Sequence, residues 1–372
     1  RQRAMTAGLD YQTAYGPGSF NGIWNSAYSG FIPDADAAIA LATPTGQNII
    51  VGSSKIMKAY VLMTLVDLFG DVPLTESGQG LDLLSPNSDD GASVYAAAGA
   101  LLVEAIAELE ANTAAAPAVD LMLGGDADKW IKAAKSLQLR AAVTTRDNAA
   151  FDALLAGGGY ITSSSDDWDF IYGSNRANPD SRHPFYRNSW ETGDGSYQSN
   201  WLMWTMENEK AAPDPRIRGY FYRQVGAVPL DNINRFDCIF SVLPDPALTP
   251  AHYLACNVDM PYCVGDLAAG YYGRDHGNDN GIPPDGDIRT VYGVYPGGGK
   301  FDNSSFDGTQ NSGTDGALGA GIHPIMPKFL VDFYIAEMHA SRGEDVLAKA
   351  ALLSGVDASI DKVINYITSR DA

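Results

Sequence analysis

Positive charge is scarce in this chain of 372 residues. Lys and Arg together number 25 against 45 Asp and Glu, a formal net charge of −20. A nucleic-acid binder needs clustered Lys and Arg to neutralise phosphates, so that class is excluded. Docking onto anionic lipid by charge alone is excluded for the same reason. Cysteine is scarcer still: Cys238, Cys256 and Cys263 all fall within 26 residues. An odd, low number cannot make a disulfide framework. Cys256 and Cys263 could pair in an oxidising compartment; three buried or free thiols are the alternative. Long apolar runs are missing too. The most apolar stretch is Lys55–Phe69, and its longest uncharged run, Ala59–Val66, is far short of the ~20 residues of a membrane span. The chain opens Arg1-Gln2-Arg3 with no apolar segment behind it. Any export signal or lipid anchor is therefore expected to be removed or to lie outside these residues.

What is present suits a globular chain with ample core. Hydrophobic residues make up 45% and charged residues only 19%. The first ~150 residues carry helical periodicity. Phe20, Ile23, Trp24, Ala27, Tyr28 and Phe31 open a helix predicted to run to Ala42. Lys55–Phe69 is apolar nearly all round, as a buried helix is, and stops at Gly70 with Pro73 just beyond. Ser93–Ala111 is rich in Ala and Leu. Asp126 is placed to cap a helix over Asp128–Val143, whose Trp130, Ala134, Leu137 and Ala141 form one stripe. A short helix at Asn148–Leu155 precedes Gly157-Gly158-Gly159.

Residues 157–321 differ in character. This segment of 165 residues holds more than half of the glycines, 12 of the 20 prolines, and 16 of the 25 Trp and Tyr residues. Aromatics on loops punctuated by Gly and Pro are candidates for a recognition surface. Within it, a helix is predicted at Ser199–Asn208 and a turn at Pro213-Asp214-Pro215. Helices return at Ile325–Arg342 and Glu344–Asn365, with His323 before Pro324 as a helix-entry residue. No fixed period of about 34 or 40 residues appears, so a strict repeat array is unsupported, whereas degenerate helix–turn–helix stacking fits.

Several motifs in order resemble the SusD/RagB family, the surface-exposed nutrient-binding lipoproteins of Bacteroidetes. Lys55–Leu74 looks like its signature helix, ending Asp67-Leu68-Phe69-Gly70-Asp71-Val72-Pro73-Leu74. Trp130 followed by Ala134-Lys135-Ser136-Leu137-Gln138-Leu139-Arg140 resembles its Trp…Ala-x-Ser-Leu-x-Leu-Arg helix. Asp214-Pro215-Arg216 with Tyr220-Phe221 matches its Asp-Pro-Arg turn. The segments 272–284 and 293–299 are similar to one branch, and Ile335-Ala336-Glu337-Met338 sits where the family has a late Ala-Glu helix. The resemblance implies a mainly α fold in a single SusD-like domain over 1–372. Its parts would be a tetratricopeptide-like helix-pair scaffold (1–156), a loop-rich, aromatic-rich insertion forming the ligand face (157–321) and a C-terminal helical hairpin (322–372). Family members begin with a lipidated cysteine and continue well past the last hairpin, and neither feature occurs within these residues, as if the C-terminal part were trimmed. The resemblance also implies glycan capture, or in some members peptide capture, at the outer-membrane surface. The implied partner is a SusC-like TonB-dependent barrel transporter, with membrane contact only through the lipid anchor.

Sugar recognition needs flat aromatic faces against pyranose C–H surfaces and planar polar groups that bond hydroxyl pairs. Asp169 and Tyr172 beside Trp168, and Arg187 and Asn188 beside Trp190, supply both on loops. Trp168 and Trp190 are the candidate stacking platforms; the alternative is that each plugs a joint in the scaffold. Tyr292 and Tyr295 are further ligand candidates. Trp24 and Trp130 lie in apolar stripes and read as packing residues, and one of Trp201 and Trp204 reads as core. Tyr271, Tyr272, Arg274, Asp275 and His276 read as a structural knot. No cofactor is expected. His252, Cys256 and Cys263 match no zinc spacing. Asn278–Gly281 and Asp285–Asp287 miss the calcium-loop register, which leaves incidental calcium binding as the most they suggest. No nucleophile, zinc-protease or phosphate-loop motif occurs, so no enzyme activity is expected. Glycan binding leads; a peptide-binding member of the family and a helix-pair interaction scaffold are the competing readings.

Overall fold

A computed structural model of the chain describes residues 2–3, 16–191, 196–227, 269–273, 289–306 and 313–370. The three cysteines, His252 and the whole of 274–288 lie outside the described residues, and with them the readings made for the Arg274–His276 knot, the Asn278–Gly281 and Asp285–Asp287 loops and a Cys256–Cys263 pair. The fold is mainly α. The chain forms two compact units, one of residues 17–170 and 324–359, the other of residues 1–16, 171–323 and 360–372.

The first unit is a stack of helices. They are α1 (Ile32–Ala42), α2 (Asn48–Phe69), α3 (Gly91–Glu110), α4 (Ala127–Thr145), α5 (Asn148–Gly157) and α7 (Lys328–Ser341), with residues 345–359 of the long α8 (Asp345–Arg370). α2 packs along α3 and against α1, α3 packs on α4, and α4 packs on both α5 and α7. α2 begins seven residues before the apolar stretch that predicted it and is 22 residues long. Both α2 and α3 are long and apolar enough to cross a bilayer by length and composition. Here they form the core instead: Ile56, Ala59, Leu62, Met63, Val94, Ala98 and Leu102 are at most 1% exposed. Burying a side chain of Leu size contributes about 1.5–3 kcal/mol, which is what holds two such apolar helices together. Gly52 lets them approach, since a Cβ there would lie 2.6 Å from Leu109 Cγ.

Local rules set the helix ends. The side chains of Asp90, Asp126 and Asp147 each accept a backbone N–H from the first turns of α3, α4 and α5. α2 stops at Gly70, whose φ of 77° suits a residue without Cβ. The helix predicted over Phe20–Ala42 is interrupted by a π-helical stretch, Ser26–Phe31. There the Ile32 N–H reaches back to Ala27 O, and Pro33 beside it has no N–H to give, so the regular ladder breaks.

The second unit is built from short elements. Helix α6 (Asn200–Asn208) is capped by Ser199, whose hydroxyl accepts from the Leu202 N–H. Strand β1 (Gln2–Arg3) pairs antiparallel with β3 (Ser196–Tyr197). Strand β4 (Phe221–Tyr222) pairs antiparallel with β5 (Val291–Tyr292), Phe221 opposite Tyr292. Strands β2 (Trp168–Ile171) and β6 (Ile322–Met326), most of whose residues belong to the first unit, pair as well. His323 lies in β6, so it is a strand residue and not a helix entry; α7 starts five residues later. Among the described residues the second unit's apolar side chains gather in small clusters, one of them Met203, Met206, Ile217, Phe221 and Tyr271. Backbone contacts do much of the packing. A Cβ at Gly293 would lie 2.2 Å from Gly219 O, a gap only glycine leaves.

Candidate ligand-binding site

The aromatic residues read from the sequence as sugar platforms lie inside the fold. Trp168 is 1% exposed, edge-on to Trp130 at 5.3 Å and to Tyr60 at 5.6 Å, with its indole N–H 3.1 Å from Met122 Sδ. Trp190 is 5% exposed, stacked on Tyr186 at 5.7 Å and tilted against Tyr222. Neither indole has a face open to a sugar; both are packing residues, because aromatic neighbours from distant parts of the chain cover them. Tyr292 stacks on Phe185 at 4.7 Å, and Tyr295 packs between Tyr220 and Tyr366, both tyrosines buried. The structure brings Trp190 and Tyr292 together and holds Trp168 among other residues. Tyr172 and Asn188 are half-buried, Arg187 is exposed, and Asp169 is half-buried in β2. Trp130 is core as expected, 1% exposed, its indole N–H donating to Asp120 Oδ2 at 2.9 Å. Trp24 is half-buried against Tyr28 and Phe69.

The polar cleft lies elsewhere in the second unit. It measures about 430 Å³ and is lined by Glu207, the Pro213–Pro215 turn, Arg218, Arg223, Tyr271 and Ser304. The turn is closed by its own ion pair. Asp214 Oδ1 accepts from the Arg216 backbone N–H and Nε, and Oδ2 accepts from Arg216 Nη2 at 2.7 Å and Lys210 Nζ at 2.6 Å. Arg216 chiefly, with Lys210 and against the cost of burial, holds the Asp214 carboxyl well below the usual carboxylate range. Opposite it, Arg223 grips the fully buried Asp302 through Nε (2.5 Å) and Nη2 (3.1 Å), and gives Nη1 to Ala269 O. Burial acts to lower the Arg223 pKa, but the Asp302 bonds and charge raise it overall. The Arg223 guanidinium lies 5.1 Å from the Tyr271 ring centroid, and burial pushes the Tyr271 phenol well up. Both Arg218 Nη2 and Arg223 Nη2 donate to Ser304 Oγ.

Helix α6 supplies Glu207 to this cleft and also carries two tryptophans. Trp201 is 57% exposed and Trp204 half-buried, and the two are one turn apart. Neither is core. Met203 and Met206 fill that role on the opposite side, 1% and 5% exposed. In the sequence, 3.6 residues per turn puts the Trp pair and the Met pair on opposite faces, and packing decides which pair is buried.

Two further cavities belong to the helical unit. One of about 550 Å³ is lined by Tyr95, Gly99, Leu102, Ala142 and Leu154 among others, the second of about 420 Å³ by Ile23, Phe31, Tyr60 and Leu65. Both are largely apolar and offer few partners for hydroxyl groups. Among the described residues no group of three or more His, Cys, Asp or Glu side chains is gathered as a metal site.

Residues 4–235 match the SusD-like family described as "Starch-binding associating with outer membrane". No curated protein gave a match. Solved structures share the fold. A SusD/RagB family protein from Bacteroides thetaiotaomicron is 22% identical with a TM-score of 0.58 over 95% of this chain and 63% of its own. A chitin-binding protein is 19% identical with a TM-score of 0.61 over 93% of this chain and 64% of its own. A chitin-binding SusD homolog from Flavobacterium johnsoniae is 17% identical with a TM-score of 0.55 over 93% and 60%. The chain thus spans less than two thirds of the length of these relatives.

Proposed function

This chain belongs to the SusD-like family, and from that membership we propose that it is a nutrient-binding protein that captures glycan at the outer-membrane surface and hands it to a TonB-dependent barrel transporter. The observation that carries this reading is the family match over 62% of the chain, 232 of 372 residues (4–235). Two of the similar structures are named as chitin-binding, which favours saccharide over peptide as the ligand. The protein binds and does not cleave.

We assign the glycan site to the second unit, to the exposed Trp201 of α6 and to the cleft that Glu207 of the same helix lines. An exposed indole supplies the flat apolar surface that pyranose C–H groups need, and the cleft supplies carboxylate, guanidinium and hydroxyl groups for the sugar hydroxyls. Affinity electrophoresis and titration calorimetry against starch, chitin oligosaccharides, and plant and host polysaccharides test the reading. At least one glycan is expected to retard the protein without release of shorter products. Binding of peptides with no glycan bound overturns it.

A further inference from the structure

Resting on the reading of this protein as a glycan binder, we propose that the cleft selects an anionic sugar, one bearing a carboxylate or a sulfate ester, through Arg218.

Among the described residues the cleft's cations pair with carboxylates with one exception, Arg218. Asp214 is neutralised by Arg216 and Lys210, and Asp302 by Arg223. Glu207 adds one carboxylate on the α6 side. Arg218 is different. Among the described residues no carboxylate lies within ion-pair distance of it, and its guanidinium meets the uncharged Ser304 Oγ. Cations without an anion are conspicuous in a chain with 45 acidic residues and 25 basic ones.

The arrangement also places two like charges together. Arg223 and Arg218 converge on one hydroxyl oxygen, which has two lone pairs and serves both. Arg223 spends its donors on Asp302, Ala269 O and Ser304. Arg218 uses one, and the rest of its planar fork remains on the cleft wall. A guanidinium in that state matches a carboxylate or sulfate oxygen pair. The cleft volume, about 430 Å³, is within the range of small-ligand sites. The exposed Trp201 stands on the helix that also supplies Glu207 to the cleft.

Calorimetry on the intact chain with matched probes tests this. Oligogalacturonate is compared with its methyl ester, and a sulfated galactan oligosaccharide with its desulfated form. The charged member of at least one pair is expected to bind tighter, and the pair that shows it identifies carboxylate or sulfate. Arg218→Gln is expected to weaken the charged probe about 10- to 100-fold, the range of a charge-assisted hydrogen-bond pair, and to leave the neutral one unchanged. Arg218→Lys, which keeps the charge without the fork, is expected to lose less. Equal binding of charged and neutral probes by the wild-type chain overturns the proposal, as does an equal loss on both in Arg218→Gln; the glycan reading survives either result. Should the Gln variant unfold, the wild-type comparison decides alone. Failure of every glycan, charged or neutral, overturns both readings together.

Discussion

The indole N–H of Trp190 donates to the backbone carbonyl of Tyr292 across 3.0 Å, joining residues 102 positions apart. The bond ties the turn after Pro184 to strand β5, and Ser189 Oγ beside it accepts the Tyr292 N–H at 3.1 Å. Trp190→Ala removes the bond and empties the space between Tyr186 and Tyr222. It is expected to cost about 3–5 kcal/mol, and Trp190→Phe about 1–3 kcal/mol, by urea unfolding. A loss below 1 kcal/mol for the Ala variant would show that the indole is dispensable there.

Trp168 and Trp201 separate packing from recognition. Trp168→Ala is expected to destabilise by about 3–5 kcal/mol, because the buried indole touches Trp130 and Tyr60. Trp201→Ala is expected to leave the melting temperature unchanged and to weaken glycan binding about 3- to 10-fold, the worth of one aromatic contact. Unchanged glycan retention in Trp201→Ala would remove α6 from the site.

Acid is expected to loosen the second unit in two stages. His183 is 3% exposed, and its Nδ1 accepts the Phe185 N–H at 3.1 Å, which fixes that nitrogen as an acceptor. Burial first, then the neighbouring His323, lower its pKa from 6.5 to about 4. The folded state therefore favours the neutral ring. That contribution is complete above pH 6.5 and falls away as the pH drops toward about 4, an effect of up to roughly 3 kcal/mol. The Asp214 carboxyl, held low by Arg216 and Lys210, adds a second loss below the ordinary value of 3.8. Unfolding free energy measured from pH 8 to pH 3 should show both. His183→Asn keeps a cap acceptor and cannot titrate, so it should flatten the upper stage only; an unaltered profile counts against His183.

Two glycines in the α2–α3 pair predict opposite signs. Gly52→Ala puts a methyl 2.6 Å from Leu109 Cγ and is expected to destabilise by about 1–3 kcal/mol despite better helix propensity. Gly99, in α3, has nothing within 4 Å of a new Cβ, so Gly99→Ala is expected to stabilise by about 0.5–1 kcal/mol. Thermal and urea unfolding read both, and a stabilising Gly52→Ala would contradict the close packing of the two helices.

The helices were legible because their causes are local. The caps Asp126 and Ser199, the stop at Gly70 and the apolar stripe of α4 all act within a few residues. The Asp-Pro-Arg turn was legible for the same reason: Asp214 and Arg216 are two residues apart and close on each other. The exposure of aromatics was not legible. Trp168 reads as a loop residue with polar neighbours until Trp130 and Tyr60 are brought against it, and Trp201 reads as apolar helix until Met203 and Met206 take the buried side.

Sequence by itself thus determined the family and the helical scaffold, since periodicity, capping and motif order are written along the chain. Tertiary structure alone decided which indoles face solvent and which cations share a cleft. Arg218, Arg223 and Ser304 meet only because β4 pairs with β5 and Asp302 is pulled inside against Arg223. The physical reason is that burial and charge pairing depend on partners 79 to 102 residues away.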